Sequence, residues 1–474
     1  MLDRKPMTYP ANFPCEEFSA GCGHYSINST DHSLPLGHQG TASPRGHHPL
    51  EENQMKPIRS FVLLLLSLSL FGSVARADVV SDWNLIAVQA GQVATAPPGP
   101  QARVGPSIVV DVAMVHAAVY DAVQAIERKY EPYYVEVPGA SGSPIAAAAR
   151  AAHDILVSRY PDQAGSLGII YQNYLASNGI ALDDPGIAVG EAAAAGIIAM
   201  RSCDGSFPDP PTPFIGGTGV GEWRPTTAGT TMAAPWLANT RPFMLTRPSQ
   251  FRSDPPPPVG SQKYVKDYIE VMNYGSANSN FRTDAQTDMA FFWAGNTPAM
   301  MNQFVRNVAG SETDNVADSS RLFAFATMSM ADAIIACWND KIQYNYWRPI
   351  TAIRTDDGFA RTPQDPAWTS LIAAPPYPDY TSGANAIGAA TVHALEHALG
   401  TDRVAFTLTT TNTGPTSQDT RTFTRLSQVA DELVDARIYL GIHFRFADTA
   451  ARKLGRSVAN YGNRNYFRPT TGRD

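Results

Sequence analysis

Residues 107 to 127 carry apolar side chains all round a helical wheel, with Val109, Met114 and Val119 on different faces. A helix without a polar face must be covered by protein on every side. The chain therefore has to fold into a body that surrounds this helix, and 474 residues suffice for one large core or two ordinary ones. Intrinsic disorder, a collagen fibre and a disulfide-stabilised miniprotein are excluded.

Other segments rich in Ala, Leu or Met favour further helices. These predicted helices span residues 143–159, 187–202, 261–273, 297–308, 317–346 and 384–399. By contrast, 12 prolines occur in the 51 residues from Pro208 to Pro258, a stretch that can form neither a helix nor a central strand. Only residues 404–410 alternate like a strand. The sequence predicts a mainly α single domain with long Pro-rich loops and at most a small β-hairpin.

The only strongly apolar run lies at residues 61–71, after two basic residues. It is too short to span a bilayer, which needs about 20 residues. Small residues ending at Ala77 match a signal peptidase site, so residues 55–77 are predicted to be a secretory signal peptide. The mature chain, a single domain over residues 78–474, would then be secreted or periplasmic.

Residues 1–54 precede this signal peptide and contain five of the ten His and two of the four Cys, without helical or strand periodicity. A start codon assigned too far upstream explains them best, and a disordered leader is the alternative. A metal-binding tail is a third reading, although its spacings fit no zinc pattern. That tail would use Cys15, Cys22, His24 and His32.

Charge and cysteine content narrow the choice of partners. The chain has 36 Lys and Arg against 43 Asp and Glu, a net charge of −7, and no basic run interleaved with aromatic residues. This balance argues against nucleic acid as a partner and favours small molecules.

Cys203 and Cys337 could form one disulfide, although Cys337 lies in an apolar helical stretch where a buried thiol is commoner.

Two cations stand near the end of the helix predicted at 317–346. Lys341 and Arg348 are seven residues apart, which turns an α-helix by about 700° and leaves both on one face. Pro349 is predicted to stop the helix directly after Arg348. Two buried like charges need a counter-ion, so the pair would converge on an anion. A favourable interaction with the helix dipole is the alternative.

Two further elements follow in the sequence. Ser382 and Gly383 precede an Ala-rich helix, where a serine either caps the helix or joins backbone N–H groups in holding an anion. Arg437 and His443 are six residues apart, a rotation of about 600° on a helix. They share a face only if the helix ends or distorts near Gly441.

In order, the three elements read K-x6-R-P, T-S-G-A and A-R-x5-H within residues 341–448. This order and spacing resemble the three motifs of the type-2 phosphatidic acid phosphatase and vanadium-dependent haloperoxidase superfamily. The soluble bacterial haloperoxidase branch is the closer likeness, and its landmarks cover nearly the whole mature chain. They are S-D-W-N at 81–84, M-V-H-A-A-V-Y-D at 114–121, E-W-R-P-T at 222–226 and R-I-Y-L-G-I-H-F-R-F at 437–446. The resemblance implies a helical bundle of this haloperoxidase and acid phosphatase type.

The resemblance also implies roles for residues of this sequence. Lys341, Arg348 and Arg437 match the cations that neutralise the equatorial oxygens of vanadate, or of phosphate in the phosphatases. The Ser382 hydroxyl and the Gly383 N–H match hydrogen-bond donors to the same oxyanion. A trigonal-bipyramidal oxyanion needs several fixed donors around its equator and one neutral nitrogen on its axis.

His443 matches the imidazole that binds vanadium on this axis, or attacks phosphorus in the phosphatases. The resemblance therefore implies oxidation of a halide by hydrogen peroxide at a histidine-bound vanadate. Hydrogen peroxide, the halide and an organic acceptor would be the partners. No membrane span is expected in the mature chain. The resemblance leaves open whether the protein is a monomer or a homodimer.

The second motif departs from the family's pattern, which reads P-S-G-H where this chain reads T-S-G-A. Ala384 stands where the resemblance expects an acid–base histidine, whose contribution is typically ~10²–10⁴-fold. Asp448 follows His443 after four residues instead of the family's three. Besides an impaired haloperoxidase, two readings stay open: a soluble acid phosphatase that works through a phosphohistidine, and a catalytically silent oxyanion-binding homologue.

A rival motif, H-x-x-E-H, occurs at residues 393–397 and would place His393 and His397 on one face of a helix, as in zinc proteases. No paired acid is evident downstream, so a half-exposed helical face is the simpler reading. His116 and His153, lone histidines in apolar helices, are predicted to be hydrogen-bonded core residues.

Overall fold

The computed structural model describes residues 78–93, 105–208, 212–227 and 229–470. All of these residues fall into one compact unit. The leader predicted over 1–54, with its alternative metal-binding tail, and the signal peptide predicted over 55–77 lie outside the described residues.

Most of the described chain is helical. The thirteen α-helices found there are α1 (Val79–Val93), α2 (Ile108–Glu127), α3 (Pro144–Arg159), α4 (Ala164–Ser177), α5 (Pro185–Arg201), α6 (Gln262–Tyr274), α7 (Asp284–Phe292), α8 (Thr297–Glu312), α9 (Val316–Tyr344), α10 (Pro349–Arg354), α11 (Gly383–Leu399), α12 (Ser427–Tyr439) and α13 (Arg445–Asn465). Two short strands, β1 (Phe406–Thr409) and β2 (Thr420–Phe423), form an antiparallel hairpin. The predicted mainly α fold with a small hairpin is confirmed for this part of the chain.

Helices α2 and α9 form the core and pack against each other. Every α2 residue from Ile108 to Gln124 is buried, in agreement with its apolar wheel. Helices α3 and α5 also pack against α2, while α11 and α13 pack against α9. Both core helices are long and apolar enough to cross a membrane, yet 94% of the relevant window of each is buried within the protein. Such burial is typical of the central helices of a bundle.

The Pro-rich stretch is ordered loop in its described part, as predicted. Its helical content there is one 3-10 turn, Pro235–Asn239. Glu222 pairs with Tyr346 in an isolated bridge, and the Trp223 N–H donates to the Asn345 carbonyl at 2.7 Å. The loop therefore braces the connection that follows α9.

The end of α9 differs from the prediction. The helix ends at Tyr344, because Asn345 adopts the left-handed conformation at a φ of 43°. Arg348 lies in an extended connection, and Pro349 begins α10 instead of stopping α9. The prediction that Lys341 and Arg348 share one helix face is therefore wrong, and the two cations belong to different elements.

His116 and His153 are hydrogen-bonded, as predicted. The His116 ring is fully buried on α2, and its Nε2 lies 2.9 Å from the Asn84 side-chain nitrogen. His153 is partly buried, and its Nδ1 lies 2.8 Å from a carboxylate oxygen of Asp154. Both contacts are local to the α1–α3 end of the bundle and give neither histidine a catalytic role.

Asp332 on α9 fixes the Pro-rich loop to the core. Its buried carboxylate accepts hydrogen bonds from three consecutive backbone N–H groups, residues 243–245, at 2.6 to 2.9 Å. Asp332→Ala is expected to lower the free energy of unfolding by about 3 kcal/mol, because three buried donors lose their acceptor. Urea unfolding measures the loss. The control Asp431→Ala removes an exposed ion pair with Arg452 and should lower the free energy of unfolding by less than about 1 kcal/mol. An equal loss of unfolding free energy in the two variants would contradict the role of Asp332 in fixing the loop.

Candidate oxyanion site

Three cations reach one buried cluster from three different elements. Lys341 lies on α9, Arg348 in the α9–α10 connection and Arg437 on α12. Lys341 and Arg348 are fully buried, and Arg437 is 6% exposed. Burial lowers the pKa of all three groups, that of Lys341 to about 8. Like charges buried together are costly, so the cluster favours a bound anion.

Two aromatic rings cover part of this cluster. The Lys341 Nζ lies 5.0 Å from the centre of the Tyr377 ring and 5.4 Å from that of the Trp338 ring. The Arg348 guanidinium carbon lies 4.8 Å from the same Tyr377 ring. Aromatic faces attract cations and keep water away from them. The charges inside therefore interact more strongly than they would in water.

Each of the two arginines keeps one buried donor without a hydrogen-bond partner among the described residues. Arg348 donates through Nε to the Tyr377 carbonyl at 2.8 Å and through Nη1 to the Ile442 carbonyl at 2.6 Å, which leaves Nη2 unpartnered. Arg437 donates through Nη2 to the Trp293 carbonyl at 2.5 Å, which leaves Nε unpartnered. Buried donors rarely stay unpaired, so both fit oxygen atoms of a ligand.

Ser382 and Gly383 stand at the start of α11, as predicted. Ser382 occupies the N-cap position, yet its side chain makes no capping hydrogen bond. Its hydroxyl instead accepts a hydrogen bond from the Asn385 amide at 3.3 Å. A Cβ on Gly383 would lie 3.0 Å from the Trp338 ring, which explains the glycine. The N–H of Gly383 has no acceptor within the helix and so can serve an anion.

His443 lies beyond α12, which ends at Tyr439 and is followed by a left-handed turn at Gly441 with a φ of 77°. The ring is 3% exposed, and its Nε2 lies 3.1 Å from Arg348 Nη1. Burial and the neighbouring cations hold the pKa of His443 well below its usual value of 6.5. The imidazole is therefore neutral near pH 7, the form that binds metals or acts as a nucleophile.

The carboxyl in contact with His443 is Asp379, which the sequence reasoning missed. Its Oδ1 lies 2.7 Å from His443 Nδ1, and burial raises the pKa of Asp379 to about 7. Asp448, the acid that follows His443 in the third motif, accepts instead from the Asn385 amide at 2.8 Å and hydrogen-bonds with Ser382. The two buried acids therefore lie beside different members of the cluster.

The structure brings together every polar side chain that the three motifs predicted. These are Lys341, Arg348, Ser382, Arg437 and His443, with Gly383 beside them. The fourth residue of T-S-G-A, Ala384, is the second residue of α11 and partly exposed. Tyr377 and Trp338 also line the cluster and carried no signal of their own in the sequence.

The H-x-x-E-H segment lies on α11 away from these contacts. His393 Nδ1 is 2.5 Å from a Glu396 oxygen, and His397 Nε2 is 2.7 Å from the Asn460 side-chain oxygen. Among the described residues, no group of three His, Cys, Asp or Glu side chains could hold a metal ion. The geometry gives the zinc-protease reading no support, and His393 does not stand in for a histidine at Ala384.

Cys203 and Cys337 do not form a disulfide. Cys337 is fully buried on α9, where its thiol donates to the Thr381 carbonyl at 3.2 Å and burial raises its pKa to about 11. We expect iodoacetamide at pH 8 to alkylate the exposed Cys203 and to leave Cys337 unmodified until the protein is denatured. Peptide mass mapping measures both sites, and rapid labelling of Cys337 in the native protein would contradict its burial.

Three buried cations, a hydroxyl and a neutral imidazole thus lie together inside a helical bundle, a set of groups that suits a bound oxyanion. Residues 321–470 match the family described as the VCPO second helical-bundle domain. This match covers the part of the chain that contains the three motifs. The resemblance inferred from the three motifs is confirmed.

One curated relative is the vanadium chloroperoxidase of Curvularia inaequalis, which is 27% identical over 288 residues. The match covers 47% of each protein, so the chain spans about half the length of that relative.

Solved structures share the fold over most of the chain. A bacterial vanadium-dependent iodoperoxidase superimposes with a TM-score of 0.69 at 23% identity and covers 82% of this chain and 96% of its own. A holo-type bacterial vanadium-dependent chloroperoxidase superimposes with a TM-score of 0.63 at 17% identity, covering 80% of this chain and 95% of its own. The shared fold therefore extends well beyond residues 321–470 and includes about four fifths of the chain, 82% in the first superposition and 80% in the second.

Proposed function

We propose that the chain is a secreted vanadate-dependent haloperoxidase-like enzyme that oxidises a halide with hydrogen peroxide. The observation that carries this proposal is the pair of buried, unpartnered arginine nitrogens beside the neutral imidazole of His443. These groups would hold an oxyanion through hydrogen bonds from the arginines and through the imidazole. Vanadate bound there would supply the activation of hydrogen peroxide that lets a halide be oxidised to hypohalous acid.

The residues of this chain have separate tasks in that scheme. Lys341, Arg348 and Arg437 neutralise the oxyanion, and their burial makes each charge more effective than it would be in water. The Ser382 hydroxyl and the Gly383 N–H add hydrogen bonds at the end of α11. The lone pair on His443 Nε2 would hold the central atom of the oxyanion. Hydrogen peroxide, the halide and an organic acceptor are the proposed partners.

Proton transfer is the weak step of the proposed mechanism. At Ala384 the chain offers a methyl group where an acid–base side chain would assist the breaking O–O bond. Water or a buffer acid has to carry the proton in the space that the small side chain leaves. Halide oxidation is therefore proposed to be slow, while oxyanion binding is retained because Ala384 removes no positive charge.

The same residues could serve an acid phosphatase, with His443 attacking phosphorus, since phosphate and vanadate have similar shape and charge. The two activities respond to vanadate in opposite directions. Purified protein should oxidise bromide or iodide with hydrogen peroxide at a rate that rises with added vanadate. Hydrolysis of a phosphate ester that vanadate inhibits would support the phosphatase instead, and vanadate binding without either activity would indicate a silent homologue.

Export is proposed to start from Met55. The basic flank, the apolar run and the small residues ending at Ala77 together predict cleavage near that residue. Intact-mass analysis of the exported protein should find a chain that begins near Asp78. A secreted chain that retains residues 1–54 would contradict the proposal.

A further inference from the structure

We propose that Asp379 is the positioning residue for His443: its carboxylate takes the hydrogen bond from Nδ1–H and so keeps the lone pair on Nε2. The inference deepens the proposed function and rests on it for the role of His443 toward an oxyanion. Asp379 belongs to none of the three motifs. It lies in the segment that leads into α11, three residues before Ser382.

The contact with Arg348 indicates which nitrogen of His443 carries the proton in this structure. A guanidinium can only donate hydrogen bonds. Its Nη1 lies 3.1 Å from His443 Nε2, so Nε2 must present its lone pair to this donor. In a neutral imidazole the proton is then on Nδ1, and that nitrogen faces Asp379 Oδ1 at 2.7 Å.

The groups around Asp379 leave its carboxylate available to accept a hydrogen bond from His443. The side chain is fully buried, and among the described residues no side-chain donor is aligned with either of its oxygens. Its neighbours are His443 Nδ1, Arg348 Nη1 at 3.8 Å from Oδ1, and the backbone N–H of Phe444. His443 Nδ1 also lacks an aligned acceptor, and the Asp379 backbone carbonyl is the other acceptor near the ring. Buried polar groups that lack hydrogen bonds are costly, and a small rotation of the ring or of the carboxylate would align His443 Nδ1 with Asp379 Oδ1.

Asp448 is already engaged elsewhere. Its Oδ1 accepts from the Asn385 amide, and it hydrogen-bonds with the Ser382 hydroxyl. One buried acid therefore supports Ser382 and the other supports His443. Carboxylates that orient a metal-binding histidine in this way typically change metal affinity by about 10- to 100-fold when removed.

The first test uses the protein without vanadate and needs no activity. Protein labelled with ¹⁵N-histidine should show His443 as the Nδ1–H tautomer, with its Nδ1 proton shifted downfield by a charged hydrogen bond. The nearly isosteric Asp379→Asn should move that proton resonance upfield, and Asp379→Ala should yield a mixture of tautomers. The control Asp448→Asn removes the other buried carboxylate and should leave the His443 signals in place.

A second readout is the affinity for vanadate, measured by calorimetry on the same proteins. Asp379→Ala should weaken binding by about 10- to 100-fold. If the Nδ1–H tautomer and its proton resonance persist in both Asp379 variants, a backbone carbonyl such as that of Asp379 itself positions the ring, and the inference is overturned. A tautomer that depends on Asp379 in a protein that binds no vanadate would instead refute the proposed function and leave the positioning role intact.

Discussion

His443→Ala is expected to abolish halide oxidation and to weaken vanadate binding by more than about 100-fold. The substitution removes the imidazole lone pair from a cluster whose other groups, the three cations, the Ser382 hydroxyl and the Gly383 N–H, are hydrogen-bond donors. Loss of an outer-shell partner alone costs about 10- to 100-fold in metal affinity, so loss of the ligand itself costs more. Calorimetric titration with vanadate measures the affinity, and a bromide- and peroxide-dependent assay measures the turnover.

His397→Ala is the matched control for this variant. His397 lies on α11 and contacts Asn460, outside the cation cluster. We expect it to retain both vanadate affinity and turnover. A His443→Ala protein that is folded and as active as the His397→Ala protein would remove His443 from the mechanism, and activity lost only in His397→Ala would revive a role for the H-x-x-E-H segment.

Ala384→His is expected to raise the turnover rate by about 100-fold while leaving vanadate affinity nearly unchanged. Position 384 directly follows Ser382 and Gly383 at the start of α11, and its side chain is partly exposed, so an imidazole has room there. The new ring adds an acid–base group without altering Lys341, Arg348 or Arg437. Turnover at saturating substrate and calorimetric vanadate affinity separate the two effects.

Ala384→Gln tests whether the gain depends on proton transfer. Glutamine is close to histidine in size and can donate a hydrogen bond, but it does not titrate. Its turnover should stay near that of the unmodified protein. If the unmodified protein turned over rapidly and Ala384→His slowed it, another residue would carry the proton, and the role assigned to position 384 would be wrong.

The sequence predicted the helices whose apolar pattern and capping residues can be recognised without knowing what packs against them. Helix α2 is apolar on every face, and α3 begins with Ser143, whose side chain accepts from the Ala146 N–H, and with Pro144 at its first turn. Helices α1, α4, α7, α10, α12 and α13 were not predicted as complete elements. In α13, Phe446, Ala451 and Leu454 are buried against other helices among many polar residues, so its single buried stripe is easily read as a polar surface segment.

The three motifs predicted which polar side chains lie together, but not the backbone geometry that brings them together. The spacing of Lys341 and Arg348 suggested one helical face, but the left-handed Asn345 ends α9 and a turn brings the cations together instead. Asp379 carried no signal, because its contact with His443 joins residues 64 positions apart (443 − 379) and exists only in the folded chain. Such long-range pairs follow from packing, which a single sequence does not display.

Anomalous diffraction at the vanadium absorption edge, from crystals soaked in vanadate, tests the oxyanion site most directly. We expect one strong peak at bonding distance from His443 Nε2, with its oxygens facing Lys341, Arg348 and Arg437 and the hydroxyl of Ser382. The absence of a peak within this cluster at a saturating vanadate concentration, or a peak only at another place on the protein, would contradict the assignment of these residues as the vanadate site.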